Sequence, residues 1–426
     1  MLRSLRRGVA VAAALVLGAA SLAACSEDSP SGTGASVPGV TDTTILVGTH
    51  QPLTGRAAAG YSKIASATKA YFEYVNANGG VHGRKIEYKI ADDAYDPAKT
   101  QQVVRQLVLQ DKVFAILNGL GTPTHSGVLD FLTTNKVPDL FVSSGSALFN
   151  QPSKYPGTFG FNVDYVTEAK VLANYVKKTF PGRKVCFFGQ NDDFGDDAAK
   201  GAETVLGPLA VKQNYVPTNA NVAPQVGALK AAGCQVNMLA TITPFTALTI
   251  GTAAKLGYRA QWVGSSVGGD FTGLSALLGK PAPLLLEGYV TSGYLPSPLD
   301  DANPWTKLFK DVNQKYNANT TFEVNTLFGM AVGYTFVQAL QAAGKDLTRE
   351  ALVSAVEKGG FAGPSLVPMR YGRDDHSGFS GTQISVIKGG RQAFVDTPYV
   401  TDTGTGPVEP HAADAAVPPA NGIPTA

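Results

Sequence analysis

The sequence predicts an α/β protein with two doubly wound parallel-sheet lobes. Short apolar segments of strand length alternate with segments of helical periodicity, and this alternation occurs in two successive series. The chain has 426 residues, of which 44% are apolar, so it is long enough for two domains with sizeable cores. Because parallel strands need crossover helices, we expect both faces of each sheet to be covered.

The first series contains four predicted strands, each followed by a helix or a turn. Ile64, Ala67, Tyr71 and Val75 recur at helical spacing, and Gly79 can end that helix by adopting positive φ. Pro97 suits the first turn of the next helix. The predicted strands are 44–49, 85–91, 113–117 and 139–142, and the predicted helices are about 60–76, 97–108 and 128–134.

The second series repeats this pattern and is followed by a helix-rich region. The predicted strands are 184–189, 211–216, 236–241 and 261–264, with helices near 166–179, 195–206, 224–232 and 246–256. Two further helices are predicted at 325–343 and 348–357. Small ligands bind at the carboxyl ends of parallel strands and at domain interfaces, so we expect a cleft between the two units.

Cys186 and Cys234 lie in or beside two strands of the second series. The first and third strands of a doubly wound unit are neighbours, so these cysteines could meet as a disulfide in an exported protein. Two buried free thiols are the alternative.

Both ends of the chain differ in composition from the body. A basic start with Arg3, Arg6 and Arg7, then an apolar run and small residues up to Cys25, predict a signal peptide over 1–24. Leu22-Ala-Ala-Cys25 resembles a lipoprotein lipobox, which implies a lipid on Cys25; cleavage elsewhere is the alternative. Residues 25–40 read as a flexible tether and the proline-rich 397–426 as a disordered tail.

The charge balance argues against several classes of protein. The net charge of +2 comes from the leader, because without its three arginines the chain has 32 basic and 33 acidic residues. A near-neutral chain lacks the basic surface of a nucleic-acid binder, and its composition is not that of a disordered or polytopic membrane protein.

Five short motifs occur in the order found in the solute-binding proteins of branched-chain amino-acid ABC importers. They are QPLTG at 51–55, NGGVHGRK at 78–85, DDAYDP at 92–97, NDDFG at 191–195 and AKLG at 254–257. The segment 325–347 resembles the late helix of that family. The resemblance implies a type I periplasmic binding protein, a clamshell with a three-stranded hinge. Lobe one would be 41–161 plus 292–362, and lobe two 162–291 plus 363–396.

The resemblance also implies a ligand site in loops of small polar residues. Thr122, Gly145 and Ser146 correspond to positions that bind carboxylate and amine groups, with Gly121 in the same loop as Thr122. Other implied contacts are Tyr61, Phe194, Thr243, Phe245 and Ser266. Each Gly, Ser or Thr could instead be an ordinary loop former.

One departure from the family bears on the solute. Members that bind α-amino acids usually have a glutamate in the loop that is 264–268 here, where it pairs with the ligand ammonium; this loop contains no acid. Either Asp270 takes that role or the solute has no α-ammonium group, as in the family branch that binds carboxylates, amides or aromatic acids. The sequence favours the second option.

Enzyme activity is not expected. Residues 264–268 fit G-x-S-x-G, but a serine hydrolase using Ser266 would need His376 or His411, and Gly268 and Gly269 interrupt the helix that should follow. The histidines show no metal-binding spacing, and no nucleotide motif occurs, so neither metal nor cofactor is expected.

The sequence thus predicts an extracytoplasmic lipoprotein of an ABC importer, a monomer anchored to the outer face of the cell membrane. It would carry a small organic solute, either a branched-chain or hydrophobic amino acid or a related carboxylate, amide or aromatic acid, to a permease, without binding nucleic acid. A ligand-sensing receptor on the same fold is the alternative.

Overall fold

The computed structural model describes residues 37–414 and 416–425. The predicted signal peptide, Cys25 as the predicted site of lipidation and most of the predicted tether lie outside the described residues. The last tether residues are ordered, because Leu46 N donates to the Gly39 carbonyl (2.7 Å) and Val40 bridges to Ile45.

Lobe one begins with a five-stranded parallel sheet in the order β2-β1-β3-β4-β5. Its elements are β1 (Thr44–Gln51), α1 (Ala58–Tyr61), α2 (Lys63–Ala77), β2 (Lys85–Asp92), α3 (Pro97–Arg105), β3 (Ile116–Leu117), α4 (Thr122–Ser126), α5 (Leu129–Thr134), β4 (Asp139–Val142) and β5 (Thr158–Gly160). Asp96 caps α3 by accepting from Ala98 N and Lys99 N, and Pro97 occupies its first turn.

Lobe two repeats the alternation of strand and helix. Its elements are α6 (Tyr165–Thr179), β6 (Val185–Gln190), α7 (Asp193–Leu206), β7 (Lys212–Tyr215), α8 (Ala223–Ala231), β8 (Val236–Ala240), α9 (Thr243–Lys255), β9 (Gln261–Gly264), α10 (Phe271–Leu278), α11 (Ala282–Leu285) and β10 (Val290–Gly293). Strands β7, β6, β8, β9 and β10 run parallel in that order.

The chain then returns to lobe one as α12 (Pro304–Tyr316), α13 (Val324–Ala343) and α14 (Arg349–Lys358). Helix α13 packs closely on α2: Thr68 Oγ1 donates to the Gly329 carbonyl (2.8 Å), and a Cβ on Gly329 would lie 2.3 Å from Ile64 O. Only glycine permits so close an approach of the two backbones.

Four antiparallel strands complete lobe two. They are β11 (Gly381–Lys388), β12 (Arg391–Phe394), β13 (Tyr399–Val400) and β14 (Glu409–Pro410). Strand β11 pairs with β10, β12 and β13, and β14 pairs with β13. The body therefore crosses between the lobes near 161–165, 294–303 and 359–380.

The predicted fold class, α/β with two parallel-sheet lobes, is confirmed. The predicted disordered tail is wrong for the described residues, since it forms β13 and β14 and Ile423 is buried. Its order comes from contacts with distant parts of the chain, which its composition does not encode. Helix α12 was also missed, although Asn303 as its cap and Pro304 in its first turn signalled it.

Cys186 and Cys234 form a disulfide, with Cα atoms 5.8 Å apart. Strands β6 and β8 are neighbours, as the doubly wound order requires. Among the described residues, no helix has both the length and the apolar character needed to cross a membrane.

Candidate functional site

A cleft between the two lobes lies at the carboxyl ends of their parallel strands. Its volume, counted to the open mouth, is about 1200 Å³. Loops after β2, β3 and β4 form the lobe-one wall, loops after β6, β8 and β9 form the lobe-two wall, and the crossing after β10 contributes to both. Ligands of open α/β sheets bind at this edge.

Five of the residues implied by the family resemblance line the cleft. They are Tyr61, Gly121, Thr122, Phe194 and Ser266. Gly121 has φ of 104°, and a Cβ there would lie 2.5 Å from both Thr124 Oγ1 and a Tyr95 ring carbon. Glycine is therefore required at this bend.

The other four residues, Gly145, Ser146, Thr243 and Phe245, are not part of the cleft lining. Gly145 accepts from Tyr165 N (2.8 Å) at the first crossing, and Ser146 accepts from Leu148 N in a 3₁₀ turn. Thr243 Oγ1 donates to the Val267 carbonyl (3.2 Å). The Phe245 ring stacks on Tyr215 at 4.1 Å. Each of the four therefore makes a contact with another part of the protein.

Tyr61 also joins the two lobes. Its hydroxyl donates to the Val267 carbonyl (2.9 Å) and accepts from Thr243 N (3.2 Å), both in lobe two. Burial raises the pKa of Tyr61 to about 12, so the hydroxyl stays protonated and remains a donor. Tyr61, expected as part of an aromatic wall, therefore also holds the two lobes together. We call its two hydrogen bonds to lobe two the latch.

Two further hydrogen bonds span the lobes. Gln190 Nε2 donates to the Tyr95 hydroxyl (3.3 Å), and Ala147 N donates to Asp197 Oδ2 (3.0 Å). Burial is the main reason why the pKa of Asp197 is raised. The walls are thus in direct contact beside the cleft.

Hydroxyl groups provide most of the polar surface of the cleft. Thr122 Oγ1 and Ser144 Oγ are 2.8 Å apart, and Ser144 Oγ donates to the Tyr165 hydroxyl (3.4 Å). The Tyr165 ring packs on Phe194, with centroids 4.4 Å apart. Sequence reasoning missed Tyr165 and Tyr95, because each depends on how a loop folds back rather than on periodicity.

Two carboxyl groups lie at the lobe-two wall. Asp270 lines the cleft and caps α10 by accepting from Gly273 N (2.7 Å). Burial, followed by repulsion from Glu323, raises the pKa of Asp270 to about 6. The second group, Glu168, was missed because its place on α6 resembles an ordinary acid in a first helical turn.

Glu168 lies behind two serines of the cleft. Its Oε1 accepts from Ser266 N (2.7 Å) and Ser292 Oγ (2.6 Å), and the residue is 1% exposed. Burial raises its pKa, while the two serines oppose that change. An acid from α6 therefore reaches the loop 264–268, which has none of its own.

The cleft lining has no compensating basic residue. Among the residues described, its wall includes Asp270 and several tyrosines but no Lys, Arg or His. The described part of the chain also contains no group of three or more side chains arranged to hold a metal ion.

A chain of four buried ionisable groups supports the lobe-one wall. His50 Nδ1 lies 2.7 Å from Asp93 Oδ2, His50 Nε2 lies 2.8 Å from His125 Nδ1, and His125 Nε2 lies 2.8 Å from Asp139 Oδ2. Burial lowers the pKa of His50, while its hydrogen bond to Asp93 opposes that change.

Position 119, which lies against the two histidines of this buried group, requires glycine. A Cβ on Gly119 would lie 2.3 Å from His125 Nδ1 and 2.6 Å from His50 Nε2. His125 lies in α4, the same short helix as Thr122, so the buried chain fixes the position of a wall residue.

The described contacts give Ser266 no histidine partner. His376 Nδ1 faces the Thr158 carbonyl (2.8 Å), and its ring stacks on Phe159 at 3.8 Å. Ser266 starts a 3₁₀ turn, Ser266–Gly268, rather than the helix of a nucleophile elbow.

Residues 44–391 match the family model described as "Periplasmic binding protein". The chain is similar to Leu/Ile/Val-binding protein homolog 3 of Brucella melitensis, 28% identical over 204 residues, 45% of this chain and 53% of that relative. The chain thus spans about half the length of that relative. It is also 26% identical over 325 residues to Leu/Ile/Val-binding protein homolog 2 of Brucella abortus, 74% of this chain and 83% of the relative.

Two solved structures have the same fold. A fatty acid ABC transporter substrate-binding protein from Thermomonospora curvata superposes with a TM-score of 0.77 at 24% identity, covering 87% of this chain and 97% of that one. A branched chain amino acid ABC transporter from Thermus thermophilus with bound valine gives a TM-score of 0.74 at 21% identity, covering 85% and 97%.

Proposed function

Because the chain belongs to the periplasmic binding protein family, we propose that it is a solute-binding lipoprotein of an ABC importer. It would capture a small organic solute in the cleft and present it to a membrane permease. The observation that carries this proposal is the cleft itself, where strand-end loops of both lobes converge. Binding without chemistry suffices, because hinge motion around the crossings encloses the solute.

Closure would depend on contacts between the walls. Tyr61, Gln190 and Asp197 make hydrogen bonds across the lobes, so a closed form already has favourable interactions before a solute adds its own. A solute that contacts both walls shifts the population further toward closure. Only the closed form would then present both lobes to a permease in the required relative position.

The body of the solute would be hydrophobic. Ile64, Leu327 and Phe328 from lobe one and Phe394 from lobe two provide an apolar surface in the cleft. Burying an aliphatic or aromatic side chain of the solute there contributes about 25 cal/mol per Å². This surface supports a solute with an apolar body rather than a sugar.

The polar end of the solute would carry an ammonium group. Asp270 and Glu168 are acids at the lobe-two wall, and the described lining has no base to balance them. An anionic solute without an ammonium would meet these acids in a poorly solvated site, whereas an ammonium would be attracted to them. We therefore place a hydrophobic amino acid ahead of the ammonium-free solute that the sequence favours.

Calorimetric titration with leucine and with 4-methylpentanoate tests this choice, because the two solutes differ only in the amino group. We expect leucine to bind at least about tenfold more tightly, a difference of 1.4 kcal/mol. Asp270→Asn keeps an acceptor for the α10 cap and removes the charge, so it should weaken leucine and not 4-methylpentanoate. The exposed Asp346→Asn is the control. Equal binding of both solutes, or tighter 4-methylpentanoate binding, would restore the ammonium-free solute.

The similar proteins include both amino-acid binders and a fatty acid transporter component. Two are Leu/Ile/Val-binding homologues and one neighbour holds valine, which supports an amino acid; another neighbour is a fatty acid transporter component, which supports a carboxylate. A thermal-shift screen of amino acids, aliphatic acids and aromatic acids would rank them, since a bound ligand raises the apparent stability.

Membrane attachment would be through lipid on Cys25 of the mature chain. Metabolic labelling with a palmitate analogue should label the wild-type protein and not Cys25→Ser. An unlabelled wild-type protein would disprove lipidation while leaving the proposed solute binding intact. Co-purification of the permease with the solute-loaded protein from detergent-solubilised membranes would test the transport partner.

A further inference from the structure

The C-terminal segment 397–425 continues beyond the part of the chain that matches the family model, which ends at residue 391. We call this segment the strap. It starts in lobe two and ends on lobe one, so it crosses between the lobes a fourth time. Each lobe has a buried polar side chain whose hydrogen-bond partner belongs to the strap.

In lobe two that side chain is Lys170 of α6. Its ammonium donates to Asp402 Oδ1 (2.7 Å) and to the carbonyls of Asp402 (3.0 Å), Gly404 (2.9 Å) and Gly406 (2.9 Å). The Lys170 side chain is 1% exposed, whereas that of Asp402 is 56% exposed. A buried ammonium without partners is strongly unfavourable, so Lys170 requires the strap.

Backbone pairing adds to this attachment. Strand β13 of the strap pairs with β11, and β14 pairs back on β13. Arg370 donates to the Thr401 carbonyl from the third crossing. The lobe-two end of the strap is therefore held by a sheet as well as by a buried charge.

In lobe one the buried side chain is Tyr71 of α2. Its ring is 0% exposed and its hydroxyl donates to the Gly422 carbonyl (2.8 Å), so removing the strap would leave a buried hydroxyl without a partner. Trp305 Nε1 of α12 donates to the Ala416 carbonyl (2.7 Å). Ile423, 7% exposed, inserts into the core, which gives this end a hydrophobic contact.

The two attachments differ in strength. The lobe-two end combines strand pairing with four hydrogen bonds to one ammonium, whereas the lobe-one end depends on hydrogen bonds from aromatic side chains and on one apolar residue. A change in the relative orientation of the lobes must strain or release one of them. Because it lacks strand pairing and a buried charge, we expect the lobe-one attachment to be released first.

We propose that the strap is a conformational device that holds the two lobes in their direct contact in the absence of solute, and that opening of the cleft requires release of its lobe-one end. The contacts made by Tyr61, Gln190 and Asp197 across the lobes would then persist before a solute arrives. The strap would restrain the relative position of the lobes in this way whatever the solute is.

Small-angle scattering of the solute-free protein tests the proposal. Ile423→Asp should release the lobe-one end, because a carboxylate cannot be buried in that apolar contact, and the radius of gyration should shift to a larger value. A chain ending at His411, which keeps β14 and the Lys170 attachment, should show the same shift. Val417→Asp is the matched control, because Val417 is on the same strap but is 64% exposed.

Hydrogen exchange provides the second measurement on the same variants. In Ile423→Asp, the amides of 416–425 should lose protection while those of 399–410 keep it. A folded Ile423→Asp protein with an unchanged radius of gyration would overturn the proposal, even if its thermal stability had fallen. If the truncated chain does not fold, the point variant decides. Neither readout uses a solute, so failure of the proposed function leaves this test valid.

Discussion

Lobe one contains a chain of four buried ionisable groups beneath the cleft, whereas lobe two contains stacked aromatic rings and, at the amino ends of β6 and β8, a disulfide. In lobe one, Asp93 and Asp139 each face a histidine. In lobe two, Cys186 is bonded to Cys234, and Tyr215 stacks on Phe245. Removing one member of a buried hydrogen-bonded network leaves its neighbours without partners, whereas removing a disulfide or one stacked ring takes away only that contribution.

The acids of the two lobes differ in the same way. Those of lobe one each face an imidazole, but Asp270 and Glu168 of lobe two accept hydrogen bonds from backbone amides and a hydroxyl. Among the described residues no basic side chain forms a salt bridge with either lobe-two acid, so the wall offered to a solute keeps acids that are not balanced in this way. Four variants test this contrast, in decreasing order of expected effect.

Removing His125 should have the largest effect. His125→Ala leaves Asp139 and His50 without their shared partner inside a buried site, which should lower the free energy of unfolding by about 3–5 kcal/mol. Urea denaturation measures this loss. His82→Asn is the control, since His82 is exposed and asparagine tolerates its φ of 49°. Equal stability of the two variants would mean that the four-group chain is not a structural support.

Removing the disulfide should have a slightly smaller effect. The bridge closes a loop with a sequence separation of 48 residues, and the double variant Cys186→Ala/Cys234→Ala should lose about 2–4 kcal/mol of unfolding free energy. Guanidinium denaturation measures this loss. The matched control is the wild-type protein with reductant, which should lose a similar amount. A loss above that of His125→Ala would reverse the ranking of the two supports.

The unbalanced acid in lobe two should make stability depend on pH. The pKa of Asp270 is raised to about 6, so the native protein keeps a proton that the unfolded chain releases near pH 4. Its contribution to stability therefore falls as pH rises from about 4 to about 6 and is constant above. Asp270→Asn should be neutral at pH 4 and stabilising by roughly 3 kcal/mol at pH 8.

Thermal unfolding at both pH values checks this prediction, with Asp346→Asn as the exposed control. A stabilisation by Asp270→Asn that is the same at pH 4 and pH 8 would show that the effect is not one of ionisation.

The smallest effect should come from the latch between the lobes. Tyr61→Phe keeps the ring and removes the hydroxyl that bridges Val267 and Thr243. Loss of such hydrogen bonds costs about 0.5–1.5 kcal/mol, so the free energy of unfolding of the solute-free protein should fall by that amount. Urea denaturation measures this change. Tyr316→Phe, at a partly exposed tyrosine that packs on Tyr74, is the control and should leave stability unchanged.

Much of the fold could be predicted because its signals are local. The apolar segments Thr44–Gln51 and Val236–Ala240 and the periodicity of Lys63–Ala77 determine strand and helix wherever the chain packs. The short strand Thr158–Gly160 has too few residues for a pattern and is defined by its neighbour β4. This strand forms because it pairs with β4.

The candidate site was predictable only in part. The family resemblance implied Thr122 and Phe194, and strand-end position indicated Ser266; all three line the cleft. The same two arguments led to Gly145 and Phe245, which do not line it, since whether a loop residue faces the cleft or packs behind it depends on the opposite lobe. Glu168 could not be predicted, because it reaches Ser266 across 98 residues of chain.

The sequence by itself determined the two α/β units, their order and the strand-end loops, since hydrophobic periodicity and turn residues act over a few neighbouring positions. Only the tertiary structure decided that His50 meets His125, that Tyr61 meets Val267 and that the proline-rich C-terminal segment contacts both lobes. Each of these depends on bringing together groups far apart in the chain. The free energy for that comes from burying the whole core, and no local pattern records it.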